Sequence, residues 1–321
     1  MQSGSTLEQL PLSTDGQRSA IDSARKSLGT IILGKDEEIS LSLACLLARG
    51  HLLIEDLPGL GKTMLAQALA RVLGLSFQRI QFTSDLLPAD IVGVSIFQQS
   101  EGKFEFQPGP VFAQLVLADE VNRATPKAQS ALLEAMEEHQ VSVDGKTHPL
   151  PEPFFVVATQ NPSDQIGTFP LPESQLDRFL MRLELGYPNE ENERALIMGR
   201  DRRQMLVEIE PTLSPDLVAQ LQDSVEKVHI SGPLIDYVQA LVRYTRESPD
   251  IETGLSPRGS LALIAAAKAH AFILHHSGVF PDDVQAVFAA VAGHRLKPAS
   301  GSTSRSPGEL GRHVLDSVAI P

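Results

Sequence analysis

Hydrophobic positions change their spacing along this 321-residue chain, and the changes predict alternating strands and helices in its first part. Short apolar runs predict strands, and apolar residues at helical spacing predict helices. We expect strands at 51–55, 77–82, 114–118, 154–159 and 179–185, and helices at 15–28, 36–47, 62–73 and 126–138. Alternating stretches at 94–106 and 140–150 predict two β-hairpins. Apolar strands interleaved with helices are typical of a mostly parallel, buried sheet.

From residue 189 onward, helical spacing replaces the strand signal. Helices are expected over 190–199, 215–228, 232–247, 257–276 and 282–293. The chain is therefore predicted to contain an α/β domain over 15–187 and an all-helical domain over 188–297. The segments 1–14 and 298–321 are polar or rich in Ser, Gly, Pro and Arg, and we expect both to be flexible tails.

The composition of the chain argues against several classes of protein. The chain carries 27 Lys and Arg against 40 Asp and Glu, a formal net charge of −13. This disfavours general polyanion binding, because non-specific nucleic-acid affinity comes mainly from neutralised phosphates. The single cysteine, Cys45, excludes an intrachain disulfide framework and a cysteine-rich metal site. No apolar run is long enough to span a membrane and the start does not resemble a signal peptide, so we expect a cytoplasmic protein.

The most specific local signal is DLPGLGKT, which begins at Asp56 and joins a predicted strand to a predicted helix. Gly59 and Gly61 let the backbone curl so that amides face phosphate oxygens, and the helix N-terminus favours anions. Lys62 supplies a positive charge for the β- and γ-phosphates, and Thr63 a hydroxyl ligand for Mg²⁺. Asp56 stands where the strict phosphate-loop pattern has its first glycine. The alternative is a glycine-rich turn followed by Lys and Thr by chance.

Two further signals stand at the ends of predicted strands. Asp119 and Glu120 follow the apolar run LVLA, where acidic groups are costly unless they hold a cation or water. We expect Asp119 to hold the water shell of Mg²⁺ and Glu120 to act as general base on the attacking water. Asn161 follows the strand at 154–159, in a position suited to orienting that water. The alternatives are a strand end that reaches solvent and a simple Asn-Pro turn.

These signals, taken in order, are similar to those of AAA+ ATPases, and the sequence closely resembles the MoxR family within that class. The resemblance covers about residues 18–296. Its most specific stretches are EDLPGLGKT from Glu55, DEVNRA from Asp119, ATQNP from Ala158 and GTFPLPESQLDRF from Gly167. It implies a P-loop α/β fold, a parallel five-stranded sheet sandwiched by helices, with a C-terminal all-helical lid domain.

The resemblance also implies roles for individual residues. Lys62 and Thr63 match the Walker A pair, Asp119 and Glu120 match the Walker B pair, and Asn161 matches the sensor 1 position. The implied nucleotide-binding set is the loop together with the residues that pack the adenine: Pro58, Gly59, Leu60, Gly61, Lys62, Thr63, Met64, Ile31, Ile32 and Gly34.

Two arginines complete the implied site. Arg178 matches an arginine finger that reaches a neighbouring subunit, and Arg258 matches the sensor 2 arginine of the lid. An always-charged planar guanidinium suits phosphate clamping. The alternatives are a salt bridge for Arg178 and a surface charge at a helix start for Arg258. Arg182 and Arg123 are rivals for the role in trans.

The resemblance implies an ATP hydrolase that uses ATP and Mg²⁺ and self-associates into a ring, expected to be a hexamer. It further implies chaperone-like maturation or metal-cofactor insertion of client proteins, together with a partner that carries a von Willebrand factor A domain. Two other classes stay open. One is a nucleic-acid motor of the helicase-like AAA+ branch, in which Lys103, Lys127 and Lys146 would line a pore. The other is a slow ATP-dependent scaffold or regulator.

Overall fold

The computed structural model describes residues 14–100, 102–161, 167–299 and 307–320. The strands in chain order are β1 (Leu52–Glu55), β2 (Phe77–Gln81), β3 (Gly93–Gln98), β4 (Lys103–Pro108), β5 (Leu115–Asp119), β6 (Gln140–Val143), β7 (Lys146–Pro149), β8 (Phe155–Gln160), β9 (Met181–Leu183), β10 (Ile251–Thr253) and β11 (Lys297–Pro298). The helices are α1 (Thr14–Ile31), α2 (Asp36–Leu47), α3 (Lys62–Val72), α4 (Pro88–Val92), α5 (Pro126–Glu138), α6 (Glu173–Leu176), α7 (Glu190–Met198), α8 (Arg202–Glu208), α9 (Pro215–Glu226), α10 (Gly232–Glu247), α11 (Pro257–Ile273), α12 (Pro281–Ala292) and α13 (Pro307–Ser317).

The α/β domain is built on a five-stranded parallel sheet with the strand order β2-β5-β8-β1-β9. Glu55 is paired with Gln160, and Gln81 with Asp119, so the strands finish together along one edge of the sheet. The interior strands are almost wholly apolar because helices cover both faces of a parallel sheet. The predicted fold class, a parallel five-stranded sheet with a C-terminal helical domain, is confirmed.

The two faces of the sheet contribute to two hydrophobic clusters, since successive side chains of a strand point to opposite faces. Leu52 and Ile54 of β1 belong to the larger cluster, which includes residues of α1, α2, α3 and the C-terminal helices. Leu53, between them, belongs to the second cluster with Leu132 and Leu133 of α5. The sheet is therefore held rigidly from both sides, and its carboxyl edge is a fixed platform.

Two antiparallel hairpins extend from this domain, β3 with β4 and β6 with β7, as the alternating stretches predicted. The turn between β6 and β7 is formed by Asp144 and Gly145, whose φ values are 51° and 74°. Positive φ at both central residues matches the right-handed twist of the flanking strands, which explains the Asp-Gly pair. The rings of Phe106 and His148 stack with centroids 4.0 Å apart, so the hairpins contact each other.

The C-terminal part is built mainly of helices, as expected, but it also contains one short antiparallel pair, β10 with β11, that was not predicted. The predicted domain boundary at 187 and 188 lies in the connection between β9 and α7. Helix α11 packs against α12, and also against α2 of the α/β domain and α9. None of the helices in the described ranges has the combination of length and hydrophobicity that a membrane span requires.

The expectation of a flexible tail over 298–321 is corrected for part of that segment. Residues 307–317 form α13, which packs against α12 and α10. Leu310 and Val314 lie on one face of α13 because they are four residues apart, and both are fully buried. The first 13 residues of the expected N-terminal tail, and residues 300–306 and 321, lie outside the described residues.

Truncating Leu310 to Ala should destabilise the helical domain by about 2–5 kcal/mol, because it removes buried methyl groups and leaves a cavity. The free energy of unfolding, measured in urea, checks this. Ile320→Ala is the matched control, since Ile320 is 52% exposed. A midpoint for Leu310→Ala equal to that of the control would contradict the packed position of α13.

A buried histidine makes stability depend on pH. His51 accepts a hydrogen bond at Nδ1 from the Val156 amide at 3.0 Å, and Nε2 lies 3.2 Å from the Met136 carbonyl oxygen. Burial lowers the pKa of His51 from 6.5 to about 4. Between these values the unfolded chain binds more protons, so the free energy of unfolding falls as the pH falls.

The free energy of unfolding should fall by ~3 kcal/mol between pH 6.5 and 4, since each unit by which the pKa of His51 is lowered is worth about 1.4 kcal/mol. His51→Gln should be less stable at pH 7 but should lose less stability on acidification. Urea unfolding at a series of pH values measures both effects, with His229→Gln at an exposed position as control. An unchanged acid slope in His51→Gln would argue against a neutral, buried ring.

Candidate active site

The loop between β1 and α3 has the backbone geometry of an anion cradle. Gly59 and Gly61 have φ values of 87° and 93°, in the left-handed region that favours glycine. A Cβ atom placed on either residue would meet no other atom within 4 Å, so space lies open beside the loop. Gly61 is also the N-cap of α3, so the positive end of an 11-residue helix faces that space.

Lys62 is held across the loop that precedes it. Its Nζ donates to the carbonyl oxygen of Asp56, to that of Leu57 at 3.1 Å, and to Oδ1 of Asn161 at 3.1 Å. Only 8% of the residue is exposed. Burial lowers the pKa of Lys62, and the charges of the nearby carboxylates oppose that shift. The ammonium group is thus already positioned beside the open space.

Asp119 and Glu120, the two carboxylates predicted as the Walker B pair, follow each other at the end of β5 but point to different partners. Thr159 on β8 contacts both residues, because its hydroxyl donates to the Asp119 carboxylate oxygen Oδ1 at 2.6 Å and accepts from the Glu120 backbone amide at 2.9 Å. Glu120 has a φ of 56°, which turns its side chain away from the strand direction. Thr159 is a site residue that sequence reasoning missed. The signal for it was a hydroxyl residue at the end of an otherwise apolar predicted strand, 154–159.

Two further residues beside the cleft, Arg79 and Gln81, were missed, whereas Arg123 was predicted only as a rival for the role in trans; all three bind these carboxylates. Arg79 donates to Asp119 Oδ2 from Nε at 3.0 Å and from Nη2 at 2.6 Å. Gln81 Nε2 and Arg123 Nε lie 3.2 and 3.0 Å from Glu120 Oε2. Arg79 and Gln81 lie on β2, the edge strand beside β5, and both are exposed. The spacing of Arg79 and Gln81, two residues apart and so on one face of the run FQRIQ, was the available signal.

Asn161 connects the lysine to the glutamate. Its Nδ2 donates to Glu120 Oε1 at 3.1 Å, while its Oδ1 accepts from Lys62. Its own carbonyl oxygen accepts from Asn122 Nδ2 at 3.2 Å, and only 4% of the residue is exposed. The structure therefore brings together Lys62, Asn161 and Glu120, three of the predicted site residues. Pro162, the last residue of the ATQNP stretch, lies outside the described residues.

These groups line a cleft of about 1010 Å³. The predicted residues along it are Pro58, Gly59, Gly61, Lys62, Thr63, Met64, Asp119, Glu120 and Asn161. Leu60, Ile31, Ile32 and Gly34 do not line it. Ile31 and Ile32 belong to the hydrophobic core, and Gly34 packs against the side chain of Asn192. The cleft instead continues along α3 to Leu206 and Val207 of α8, so the predicted adenine contacts lie outside it.

The donor set fits Mg²⁺ held together with a phosphate. Thr63 and Asp119 line the same cleft and offer a hydroxyl and a carboxylate oxygen. Within the described residues, no group of three or more His, Cys, Asp or Glu side chains is arranged to hold a metal ion. Mg²⁺ typically keeps several waters and takes one or two carboxylates plus substrate phosphates. The site thus suits an ion that arrives with the nucleotide.

The two predicted phosphate-clamping arginines lie elsewhere. Arg178 and Arg258 line a separate cavity of about 360 Å³ and pair with Glu137, at 2.6 and 2.7 Å. Of their two rivals, Arg123 contacts Glu120, which lines the cleft, whereas Arg182 pairs with Glu55 at 2.9 Å. In this chain the structure does not bring Arg178 or Arg258 to the cleft around Lys62.

Two segments of the chain match known protein families, and most of its length matches known relatives. Residues 51–181 match the ATPase family associated with various cellular activities (AAA), and residues 243–313 match the AAA lid domain. The chain is 44% identical to the Bacillus subtilis protein YeaC, over 93% of this chain and 94% of that protein. It is 42% identical to Chaperone MoxR1 of Mycobacterium tuberculosis, over 91% of this chain and 80% of that protein.

A solved structure agrees with these relatives. The crystal structure of a candidate ATPase from Cytophaga hutchinsonii superposes with a TM-score of 0.86 and is 36% identical in sequence. The match covers 96% of this chain and 97% of that one, so it includes both the α/β and the helical domain.

Proposed function

This chain belongs to the MoxR family of AAA+ ATPases, and from that premise we propose that it hydrolyses ATP with Mg²⁺ at the cleft around Lys62. The observation that carries the proposal is the connection of Lys62 to Glu120 through Asn161. The cation, the neutral amide and the carboxylate are hydrogen-bonded one to the next. They match the groups that bind the γ-phosphate, orient the attacking water and accept its proton.

Each of the site residues has a defined task in the proposed reaction. The loop amides and Lys62 bind the β- and γ-phosphates, and Thr63 and Asp119 would hold Mg²⁺, which neutralises phosphate charge when bound. Asn161 orients the attacking water, and Glu120 accepts its proton as the water oxygen bonds to the γ-phosphorus. The bond from that phosphorus to the bridging oxygen breaks, and ADP leaves with the electron pair.

Three groups engage Glu120 in the structure: Asn161 on one oxygen, Gln81 and Arg123 on the other. We propose that the Arg123 contact loosens when nucleotide fills the cleft, which frees Glu120 Oε2 for the water.

Phosphate release by the purified chain tests the metal requirement. The rate should depend on added Mg²⁺ and disappear in EDTA. Asp119→Asn should need a higher Mg²⁺ concentration to reach half its maximal rate, because a neutral amide attracts the cation more weakly. A rate unaffected by EDTA would contradict the assignment of Thr63 and Asp119.

We further propose that the cleft is completed by a neighbouring copy, in a ring that we expect to be a hexamer. The support is the position of Arg178 and Arg258, away from the cleft of their own chain. An arginine supplied by a neighbour raises hydrolysis rates by ~10³–10⁵ in the GTPase cases. The mass of the assembly, measured with and without ATP, tests the ring.

The biological role that we propose is chaperone-like maturation or metal-cofactor insertion of client proteins, together with a partner that carries a von Willebrand factor A domain. The support is the relative named Chaperone MoxR1. An affinity capture with Glu120→Gln, which should retain ATP, tests this proposal. Lys62→Ala, which should not load ATP, is the matched control. Recovery of no protein with such a domain above the control would count against the partner.

A further inference from the structure

One carboxylate holds two arginines from different parts of the fold. Glu137, near the end of α5, accepts from Arg178 Nε on Oε2 at 2.6 Å and from Arg258 Nη2 on Oε1 at 2.7 Å. Arg178 lies between α6 and β9, and Arg258 is the second residue of α11. Each carboxylate oxygen accepts from one arginine, so a single carboxylate holds both guanidinium groups side by side.

Both arginines keep donors available. Across the described ranges, Arg178 donates only from Nε and Arg258 only from Nη2, and a guanidinium has five N–H groups. Their side chains are 30% and 52% exposed, at the surface of the second cavity. Two positive charges against one negative charge leave this cluster with a net charge of +1. It is therefore suited to an oxyanion that approaches from outside the chain.

The backbone beneath Arg178 is fixed independently of Glu137. Arg295, which follows α12, donates from Nη2 to the Phe179 carbonyl oxygen at 2.7 Å and from Nε to Asp177 Oδ1 at 2.6 Å. Its side chain is only 5% exposed. Arg178 thus stands on a rigid base, while the direction of its exposed side chain depends on Glu137.

We infer that Glu137 is a positioning residue, which assembles Arg178 and Arg258 into one two-arginine pair for the γ-phosphate bound by a neighbouring copy. This rests on the ring of the proposed function. The pair needs a charged bridge because two guanidinium groups repel each other and their long side chains otherwise disperse into water. A phosphoryl group, like the carboxylate, offers more than one oxygen to the two arginines.

The test is the kinetic effect of Glu137→Gln. An amide has one acceptor oxygen, a donor NH₂ in place of the other and no charge, so it cannot hold one arginine on each side as the carboxylate does. We expect a ~10–100-fold loss in kcat, a part of the full effect of a trans arginine, with KM for ATP changed less than ~3-fold. Glu138→Gln, the exposed neighbour on the same helix, is the matched control and should keep the parent rate.

A double-mutant cycle distinguishes a Glu137 that positions the two arginines from a Glu137 that only stabilises the fold. If Glu137 acts through the arginines, Glu137→Gln should cause no further loss in an Arg178→Ala, Arg258→Ala background. Glu137→Asp, which keeps the charge, should recover part of the rate, and it replaces Glu137→Gln if that variant does not fold. An equal loss in both backgrounds, or a parent kcat in Glu137→Gln, would overturn the inference. A parent rate in Arg178→Ala would instead overturn the trans arginine of the proposed function.

Discussion

Replacing Glu120 with Gln is expected to reduce steady-state ATP hydrolysis by ~10²–10⁴-fold, the usual contribution of a general base. ATP binding should persist, because Lys62, the loop amides and Thr63 are unchanged. Asn161 can still hydrogen-bond to the amide oxygen at position 120, so the cleft should keep its shape. Phosphate release gives the rate, and equilibrium binding of a fluorescent ATP analogue gives the affinity.

Glu134→Gln is the matched control for this experiment. It makes the same chemical change at an exposed position of α5 and should hydrolyse ATP at the parent rate. A Glu120→Gln variant that hydrolyses ATP within about threefold of the parent would remove Glu120 as the base. Arg123 and Gln81 would then have to be interpreted as binding a structural carboxylate.

Replacing Lys62 with Ala should weaken ATP binding by at least ~100-fold, because a charge-assisted contact to phosphate is lost. Such bonds are worth about 1.5–3 kcal/mol each, and Lys62 is placed to make more than one. The variant should also lose the three hydrogen bonds by which Nζ ties the loop carbonyl oxygens to Asn161. The dissociation constant for ATP, measured by calorimetry, checks the prediction.

Lys227→Ala, an exposed lysine just after α9, controls for the loss of one positive charge. We expect it to bind ATP as the parent does. If Lys62→Ala keeps the parent dissociation constant, the open space beside Gly59 and Gly61 is not a phosphate site. That result would leave the loop as a glycine-rich turn.

Much of the fold follows from local patterns in the sequence. Helix α2 has the predicted bounds because acidic residues begin it and an unbroken run of buried, mostly apolar residues, Ile39 to Leu47, fills it. Helix α11 ends three residues before its predicted end, since His275 has a φ of 60° that no helix continues. Helices α4, α6 and α8 have seven residues or fewer, too short for helical periodicity to show.

The site residues likewise form two groups: those that a local sequence pattern predicts and those that only the fold brings together. Lys62, Thr63, Asp119, Glu120 and Asn161 could be predicted because each directly follows a strand or opens a helix. Arg79 and Glu137 could not, since their roles depend on which elements become neighbours in space. Arg79 is 40 residues from Asp119, and Glu137 is 121 residues from Arg258. Only the strand order and the docking of α11 bring them together.

The most direct test of the account is a mixture of two inactive variants, Glu120→Gln and Arg178→Ala. In a ring with composite sites, an Arg178→Ala protomer keeps an intact cleft and can receive Arg178 from a Glu120→Gln neighbour. Each variant alone should be nearly inactive. An equal mixture should recover about one quarter of the parent ATPase rate, from random head-to-tail assembly.

A mixture of Glu120→Gln with Lys62→Ala is the control, because both changes fall in the same cleft and no neighbour can repair either. It should stay inactive. If the first mixture shows no more activity than its components, although both variants assemble with the parent mass, the cleft does not receive Arg178 from a neighbour. Recovery in the first mixture alone is the result that the account predicts.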